Sequence, residues 1–539
     1  MSLMQVLRNR CALPRAHAQP GQRSPLRQTS WLAVLSMLAA IPGAALAHSF
    51  DERYDLPAPL PYFVAGAAAV VALSFVIAVV FSRRKAGAPE QRPEHGIVIA
   101  FGPLPFLLRG GVVLVRALSL GLFFLAIASA LFGSGDPLMN LAPTLIWIVW
   151  WVGLSLLVAC VGNVWPVLDP WLTLFDAVNA LARRMGRRDG IALGLAFPRA
   201  LGAWPAVALL LLWSWLELVF PLASAPERVA LAALAWSALT LAGMVCFGRA
   251  AWQRNADVFA LYFEVLGRFA PLAPHPEGRG LVVRAPGAGL TVMRDSGAAD
   301  IGFVIAMLSS VLFDGLRGGQ AWGPVEAAFA RSLPAVADTN AYVAGTAGLV
   351  GLWLVFLAAY WAACVAAAGL LGGAAGGAGA IARRYVWTLV PIGVGYNLAH
   401  NFSGLLVQGQ NVIPLLSDPF GWRWDLFGTA QRYPDIGIVD ARTTWYVAVA
   451  AIVAGHVSAV WLAHRIALRD LREPRRAALA CVPLTVLMVA YTAVSLSVIA
   501  EPMVRFLPEP AQAAFMAFGI AGFKSGDGWK TAPGARLRD

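Results

Sequence analysis

The chain has 539 residues, of which 59% are hydrophobic and 13% are charged, and its formal net charge at pH 7 is +12. So little charge on so apolar a chain excludes a soluble globular protein and predicts an all-α polytopic membrane bundle. The positive charge does not indicate a nucleic-acid partner, because no basic patch is interleaved with aromatic residues that would stack on bases.

The first 47 residues have the pattern of a cleavable signal peptide. Arginines such as Arg8, Arg10 and Arg27 precede an apolar core at residues 31–41, and the small-residue pattern Ala45-Leu46-Ala47 follows. Signal peptidase cleaves after such a pattern. The mature chain is therefore predicted to begin at His48, outside the cytoplasm, and the alternative is an uncleaved signal anchor.

Apolar runs of about 18 residues or more predict about ten transmembrane helices after this leader. The run at 300–316 is the weakest, because it is short and is interrupted by Ser309 and Ser310. No shift of composition marks a soluble domain, so residues 48–539 are predicted to form one membrane domain. The predicted spans lie near 62–82, 112–132, 143–163, 203–221, 229–247, 300–316, 342–372, 386–412, 443–464 and 477–499.

The basic residues predict the orientation of these spans. If His48 is outside, the loops that face inward hold most of the arginines, including Arg183, Arg184, Arg383 and Arg384. This asymmetry is what the positive-inside rule requires. We therefore expect that the mature N-terminus and the C-terminal tail both lie outside the cytoplasm.

Segments near the inner ends of the spans are predicted to lie at the membrane surface. In the loop 248–299, apolar residues such as Phe259 and Phe263 are spaced to line one face of an interfacial helix. Asn163 and Asp169 lie at the inner end of a span, where a re-entrant or interfacial turn is predicted. Asp176 and Asp189 are interpreted as capping and surface residues. His464 is interpreted as a residue of the cytoplasmic end.

The span at 386–412 is unusual because its outer half is polar. It carries Asn397, His400, Asn401 and further amide and hydroxyl side chains in an otherwise apolar helix. A polar group in the bilayer is costly unless it faces a partner or a water-filled cavity, so this cluster is a candidate functional site. The alternative is that these residues only join neighbouring helices.

Two histidines are predicted to meet in this region. At about 1.5 Å per residue, His400 and His456 lie at similar depths, roughly 18 Å below the outer ends of consecutive spans. They could bind a divalent metal ion of unknown identity, but such an ion needs a third ligand. The candidates for this ligand are Asp314, Glu217 and Glu501.

His48 is a further candidate metal ligand. An N-terminal histidine can chelate copper through its amine and its ring nitrogen. That arrangement usually needs a second histidine, and no outward loop supplies one. The alternative is an ordinary residue after a cleavage site.

Several segments resemble the bacterial membrane proteins called fenitrothion hydrolases, over nearly all of the predicted mature chain. They are AHSFDERYDLPAPLPYF, GNVWPVLDPW, LFDGL and YNLAHNFSGLLVQGQ, in this order. The resemblance implies a membrane hydrolase that splits an aryl phosphorothioate triester into a nitrophenol and a dialkyl thiophosphate. Its partners would be the lipid bilayer, a small hydrophobic substrate and, as a further candidate, another membrane subunit.

Hydrolysis of such a triester needs an activated water and a group that polarises the P=S or P=O bond. On this hypothesis His400 and His456 are metal ligands or the general base, and Asp314 is a further metal ligand. Asn397 and Asn401 are polarising donors. Asn397 lies three residues before His400 and shares its helix face, whereas Asn401 points about 100° away.

Two other function classes fit the same pattern. A polar helix in a ten-span bundle is also typical of a transporter or channel for a metal ion or small solute. A redox protein with His400 and His456 as ligands of haem or copper is the other alternative.

Overall fold

The computed structural model describes residues 59–82, 97–100, 105–275, 280–292, 296–334, 340–372, 376–471 and 473–501. The predicted signal peptide, His48 and the predicted C-terminal tail lie outside this described part. The described residues form a helical bundle with one small sheet.

The elements are numbered here in chain order. The helices are α1 Leu60–Ser82, α2 Pro105–Phe132, α3 Leu141–Cys160, α4 Trp165–Leu168, α5 Pro170–Arg184, α6 Trp204–Leu218, α7 Pro226–Phe247, α8 Arg249–Asn255, α9 Val258–Phe269, α10 Ala298–Gly318, α11 Trp322–Ser332, α12 Asn340–Leu371, α13 Ala378–Tyr385, α14 Val390–Gln408, α15 Val412–Ser417, α16 Ala441–Leu471 and α17 Pro474–Ala500. The strands are β1 Ile97–Ala100, β2 Leu272–Pro274 and β3 Gly280–Val283.

Eight of the helices in the described residues are long and apolar enough to cross a membrane: α1, α2, α3, α7, α10, α12, α16 and α17. This confirms the prediction of a multi-pass helical membrane protein. The other two predicted spans, 203–221 and 386–412, correspond to α6 and α14. The first has only 15 residues, and the second carries the polar residues of the candidate site.

The weakest predicted span, 300–316, becomes a regular helix of 21 residues, α10, that lies deep in the bundle. Ser309 and Ser310 do not interrupt it, because each hydroxyl donates to a carbonyl three residues earlier in the same helix. The helix therefore satisfies its own polar groups, and α6, α12 and α14 pack around it.

Two glycines allow α14 and α16 to pack closely. Gly395 lies against the backbone of Ala451, and Gly455 lies against the backbone of Pro391 and Ile392. Small residues let helix backbones approach in this way within membranes. These contacts fix the antiparallel register of the two helices.

Helix α9 is buried, which corrects the prediction that it lies on the membrane surface. Eight of its residues, Phe259, Tyr262 and Phe263 among them, are inaccessible to solvent, and α3, α6 and α14 pack against it. Apolar residues surround the helix, so it buries nearly its whole surface instead of one face.

Charged side chains cap both ends of α9. The Asp257 carboxylate accepts hydrogen bonds from the backbone N–H groups of Phe259 and Ala260, at 3.1 Å each. At the other end, the Arg284 guanidinium donates to the carbonyls of Gly267 and Ala270, at 2.8 and 3.1 Å. Buried helix ends need such partners for their free backbone groups.

An aromatic cluster holds α9 in place. The Phe259 ring stacks on Trp171 with 5.7 Å between the ring centroids, and it contacts the rings of Trp150, Trp213 and Trp236 at 4.7 to 5.1 Å. Trp150 lies on a π-helical stretch of α3, Thr144–Leu154. Aromatic pairs at these distances add stabilisation beyond their buried area.

A three-stranded antiparallel sheet, which the sequence did not predict, joins two of the connecting segments. Strand β3 lies between β1 and β2, with Ile97 opposite Val283 and Leu272 opposite the same residue on the other side. The strands are three or four residues long, which is too short for a period-two pattern to be distinguished from an apolar run.

Asp169 and Asp257 form a buried acidic pair between the long helices. Asp169 caps α5 by accepting from the Leu172 N–H at 2.9 Å. In both residues the Oδ2 atom has no hydrogen-bond partner among the described residues. Burial, together with the neighbouring Asp257 charge, raises the pKa of Asp169 to about 8, and burial raises the pKa of Asp257 to about 6.

The close packing at Gly455 predicts that a single methyl group there is destabilising. A Cβ atom at this position would lie 2.5 Å from the Pro391 carbonyl oxygen, so Gly455→Ala must push α14 away from α16. We expect a loss of about 1–3 kcal/mol, measured as a lower midpoint of thermal unfolding in detergent. Gly404→Ala on α14 is the matched control, because no atom lies within 4 Å of its Cβ position. Equal midpoints for the two variants would contradict the close crossing.

The acidic pair predicts a specific pH dependence of stability. The folded-state pKa of Asp169 is raised above the ordinary value of 3.8. The contribution of this carboxyl group to the free energy of unfolding is therefore fully present below about pH 4, and it is lost as the pH rises to about 8. Asp169→Asn keeps the capping oxygen and removes the charge, so its stability relative to the parent protein should increase over this range, by at least about 1 kcal/mol. Unfolding midpoints across the pH series measure this difference. Asp189→Asn, at an exposed loop position, controls for the change in net charge, and a difference that does not vary with pH would contradict the raised pKa.

Candidate functional site

The candidate site is built on the polar face of α14. The helix begins next to Pro391, which suits a first helical turn because proline has no N–H to leave unpaired. Its neighbours α10 and α16 supply the packing surface on either side. The polar side chains that the sequence analysis singled out thus lie inside the bundle.

His400 and Asp314 are in direct contact. His400 Nε2 lies 2.9 Å from Asp314 Oδ2, and the His400 side chain is only 6% exposed, whereas the Asp314 side chain is 38% exposed. A carboxylate at this distance accepts the Nε2–H proton and fixes the orientation of the imidazole ring. Nδ1 is then the nitrogen that can accept a proton from another molecule.

Tyr396 lies on the same face of α14 and extends the site. Its ring is nearly parallel to the His400 ring, with 6.1 Å between the centroids and 17° between the planes. The hydroxyl lies against Gly315, next to Asp314 in the chain. It is buried and has no hydrogen-bond partner among the described residues, so a donor is left unused beside the histidine.

A second carboxylate approaches the site from α6. Glu217 is near enough to Asp314 for their charges to interact, and its Oε2 atom accepts a hydrogen bond of 2.9 Å from the Trp151 indole. Helices α3, α6, α10 and α14 thus each contribute to one polar region. We name its six residues the central polar cluster: Glu217, Asp314, Tyr396, Asn397, His400 and Asn401.

The two asparagines of this cluster have different surroundings. Asn401 donates back to Asn397, to its carbonyl oxygen and to its side-chain oxygen, at 3.3 Å each. Asn397 is buried, and it faces the hydroxyl of Tyr262 on α9. With Ser155 and Tyr262, Asn397 lines a narrow cavity that has room for about one water molecule.

His456 does not join His400. The contacts of Gly455 with Pro391 and of Gly395 with Ala451 place His456 opposite the start of α14, which separates the two histidines by roughly 13 Å along the helix axis at 1.5 Å per residue. The prediction that the two histidines lie at one depth is therefore wrong. His456 is 1% exposed, its Nδ1 donates to the Ile452 carbonyl at 2.8 Å, and its Nε2 has no partner among the described residues.

The predicted metal ligands are not brought together as a set of three. Nowhere in the described part of the chain do three His, Cys, Asp or Glu side chains lie close enough to share one ion. His400 and Asp314 are the two predicted ligands that meet, and His48 lies outside the described residues. Glu501, a candidate third ligand, instead accepts a hydrogen bond of 3.2 Å from Ala321 N–H.

His464 is buried within the bundle, seven residues before the end of α16, and its interpretation as a residue of the cytoplasmic end stays a prediction. It is 2% exposed, its ring packs edge-on against Phe75 at 6.2 Å, and neither ring nitrogen has a partner among the described residues. Helix α16 continues to Leu471, beyond the predicted end of the span at 464, which places His464 inside the helix.

Sequence reasoning missed Tyr396 and underrated Glu217. Tyr396 precedes His400 by four residues, and residues at that spacing share a helix face, so the spacing could have identified it. Glu217 was considered only as a metal ligand. Its place beside Asp314 depends on how α6 packs against α10, which no local pattern encodes.

Comparison with known proteins identified no relative of this chain. No protein-family model, no curated protein and no solved structure matches this chain.

Proposed function

We propose that this protein is a membrane-embedded hydrolase of neutral organophosphorus triesters, of the aryl phosphorothioate class, in which His400 is the general base. The observation that carries the proposal is the contact between His400 Nε2 and Asp314 Oδ2 at 2.9 Å. A base must be held in one orientation and one tautomer, and a carboxylate on the far nitrogen provides both.

The proposed reaction is a single displacement at phosphorus. His400 Nδ1 takes a proton from a water molecule as the water oxygen bonds to phosphorus. The bond from phosphorus to the aryl oxygen breaks, and the leaving group departs as a nitrophenolate. The dialkyl thiophosphate is released, and His400 returns its proton to solvent.

The neighbouring polar groups suit the charge that develops in this reaction. The Tyr396 hydroxyl is buried and lacks an acceptor in the described structure, so it can donate to the P=S or P=O group of a bound triester. Asn397 is the second proposed donor, because it is buried three residues before His400 and shares its face of α14. Donors already fixed in position stabilise such charge effectively.

The membrane setting suits the proposed substrate. A neutral triester partitions into lipid, so a site inside the bundle can receive it from the bilayer. Glu217 and Asp314 lie near the ends of α6 and α10, which the positive-inside pattern predicts to face outward. We accordingly place the protein in the bacterial inner membrane with about ten spans, a periplasmic N-terminus and a site nearer the periplasmic side.

The metal in this proposal is secondary to the base. If a divalent ion takes part, His400 and Asp314 are the two described ligands that already meet. Proton transfer by His400 needs no third ligand. We therefore assign the activation of water to His400 and do not assign a catalytic role to His456.

A second candidate function is transport of protons or cations. It is favoured by the interaction between the Glu217 and Asp314 carboxylates beside His400, since ionisable groups in series within a membrane are typical of ion pathways. A redox role for His400 and His456 as shared ligands is less well supported, because one metal centre cannot bridge the axial separation of roughly 13 Å between them.

Nitrophenol release by the purified protein tests the proposal. We expect His400→Gln to lower kcat/KM by at least about 100-fold, because general-base catalysis typically contributes this much, and Asp314→Asn to lower it by at least about tenfold. His456→Gln is the matched control and should remain within about threefold of the parent protein, with folding checked by size-exclusion chromatography.

Two outcomes would overturn the hydrolase. Absence of turnover in the parent protein would reject it, as would full turnover in His400→Gln. If vesicles containing the protein instead showed an ion flux that Glu217→Gln abolished, transport would be the better account.

A further inference from the structure

A second polar cavity lies at the opposite end of the bundle, far along α14 and α16 from the central polar cluster. Its volume is about 240 Å³, and it lies between the segment before α10, helix α13 and the end of α16. We name it the arginine cavity. Its polar lining consists of Thr291, Ser296, Arg383, Arg384, Trp387 and Arg469.

The described residues of the arginine cavity carry an excess of positive charge. Asp470 is the carboxylate that pairs with two of its arginines, Arg384 at 3.0 Å and Arg469 at 3.0 Å. Arg383 forms no ion pair with any residue in the described ranges. Among the described residues of the cavity, three guanidinium groups thus outnumber one carboxylate, so an anionic ligand would complement their charge.

Arg469 lies at the wall of the cavity and keeps one donor without a partner in the described structure. Arg469 Nη1 donates to the Thr291 carbonyl at 2.7 Å, but its Nη2 is buried and has no hydrogen-bond partner in the described structure. The Trp387 indole donates to the Ser296 hydroxyl at 2.8 Å, which holds that hydroxyl at the cavity wall. A buried guanidinium donor without a partner is costly, and a phosphate oxygen is the acceptor that its geometry suits best.

The size and setting of the cavity narrow the class of ligand. Its volume is below the roughly 300–1,000 Å³ of pockets that hold drug-sized molecules, so it suits a phosphate with a small substituent. The exposed Trp361 side chain of α12 lies close to Gly379, beside the Arg383 guanidinium. An apolar, lipid-facing surface therefore adjoins the basic one.

We propose that the arginine cavity binds the phosphate group of an anionic ligand, with Arg383 and Arg469 as the donors. Basic pockets between transmembrane helices on the cytoplasmic side bind anionic lipid headgroups, and the positive-inside pattern predicts that this end of the bundle faces the cytoplasm. A free phosphate offers the same chemistry. This inference is independent of the proposed hydrolase, because the cavity and the central polar cluster have no residue in common.

Thermal unfolding of the full-length protein in detergent tests this site with two probes. One series adds phosphatidylglycerol in mixed micelles, with phosphatidylcholine as the uncharged reference, and the other adds inorganic phosphate without lipid. We expect an anionic probe to raise the unfolding midpoint of the parent protein. Stabilisation by phosphatidylglycerol alone identifies a lipid headgroup, and equal stabilisation by inorganic phosphate identifies the free anion.

Arg383→Gln is the variant of choice, because this side chain has no ion pair in the described structure to lose. It should raise the concentration of probe at half-maximal stabilisation by about fivefold, which is the contribution of one basic residue near a charged surface. Arg465→Gln is the matched control, since this exposed arginine lies on α16, one turn before Arg469, but rests on the Trp461 ring outside the cavity. No shift with either probe, or the same weakening in both variants, would overturn the site.

Discussion

The central constraint on this protein is that polar groups inside a lipid-facing bundle must find their partners within the chain. The contact between His400 and Asp314 is the clearest case, because it joins two helices and leaves one ring nitrogen as a proton acceptor. Around it, Glu217 is held by Trp151 and Asn397 by its neighbours on α9 and α14. Within the central polar cluster the Tyr396 hydroxyl is the exception, since it is buried and has no acceptor in the described structure. A site with one unused donor beside an oriented base is suited to binding and activating something else.

The helices could be predicted from sequence because a bilayer imposes a minimum length and an apolar composition. The burial of α9 could not, since apolar residues such as Phe259 and Phe263 would serve equally well on a membrane surface or in a protein core. The candidate helix α14 was found because polar residues in an apolar span are exceptional. His456 was wrongly predicted to meet His400, and Asp314 was only one of three candidates for a further ligand, because depth along a helix does not determine register. Gly395 and Gly455 set that register through contacts between backbones, and these depend on the packing of whole helices.

The described structure places different chemistry at its two ends. One end holds carboxylates and a histidine among apolar helices, and the other holds arginines that outnumber the carboxylate they share. Helix α9 packs against α3, α6 and α14, and the small sheet joins two connecting segments. Neither contributes a charged side chain to the central polar cluster. The two regions have no residue in common, so a ligand of the central polar cluster and an anion in the arginine cavity would be bound by separate sets of side chains.

The most direct test of the account is a double-mutant cycle on turnover, with His400→Gln, Asp314→Asn and the combined variant compared in the same nitrophenol assay. If Asp314 acts only by orienting His400, the combined variant should be no slower than His400→Gln alone, because residues that work as a unit are strongly non-additive. If the fold-loss of turnover in the combined variant equals the product of the two single losses, the account is contradicted. The carboxylate and the imidazole would then act independently.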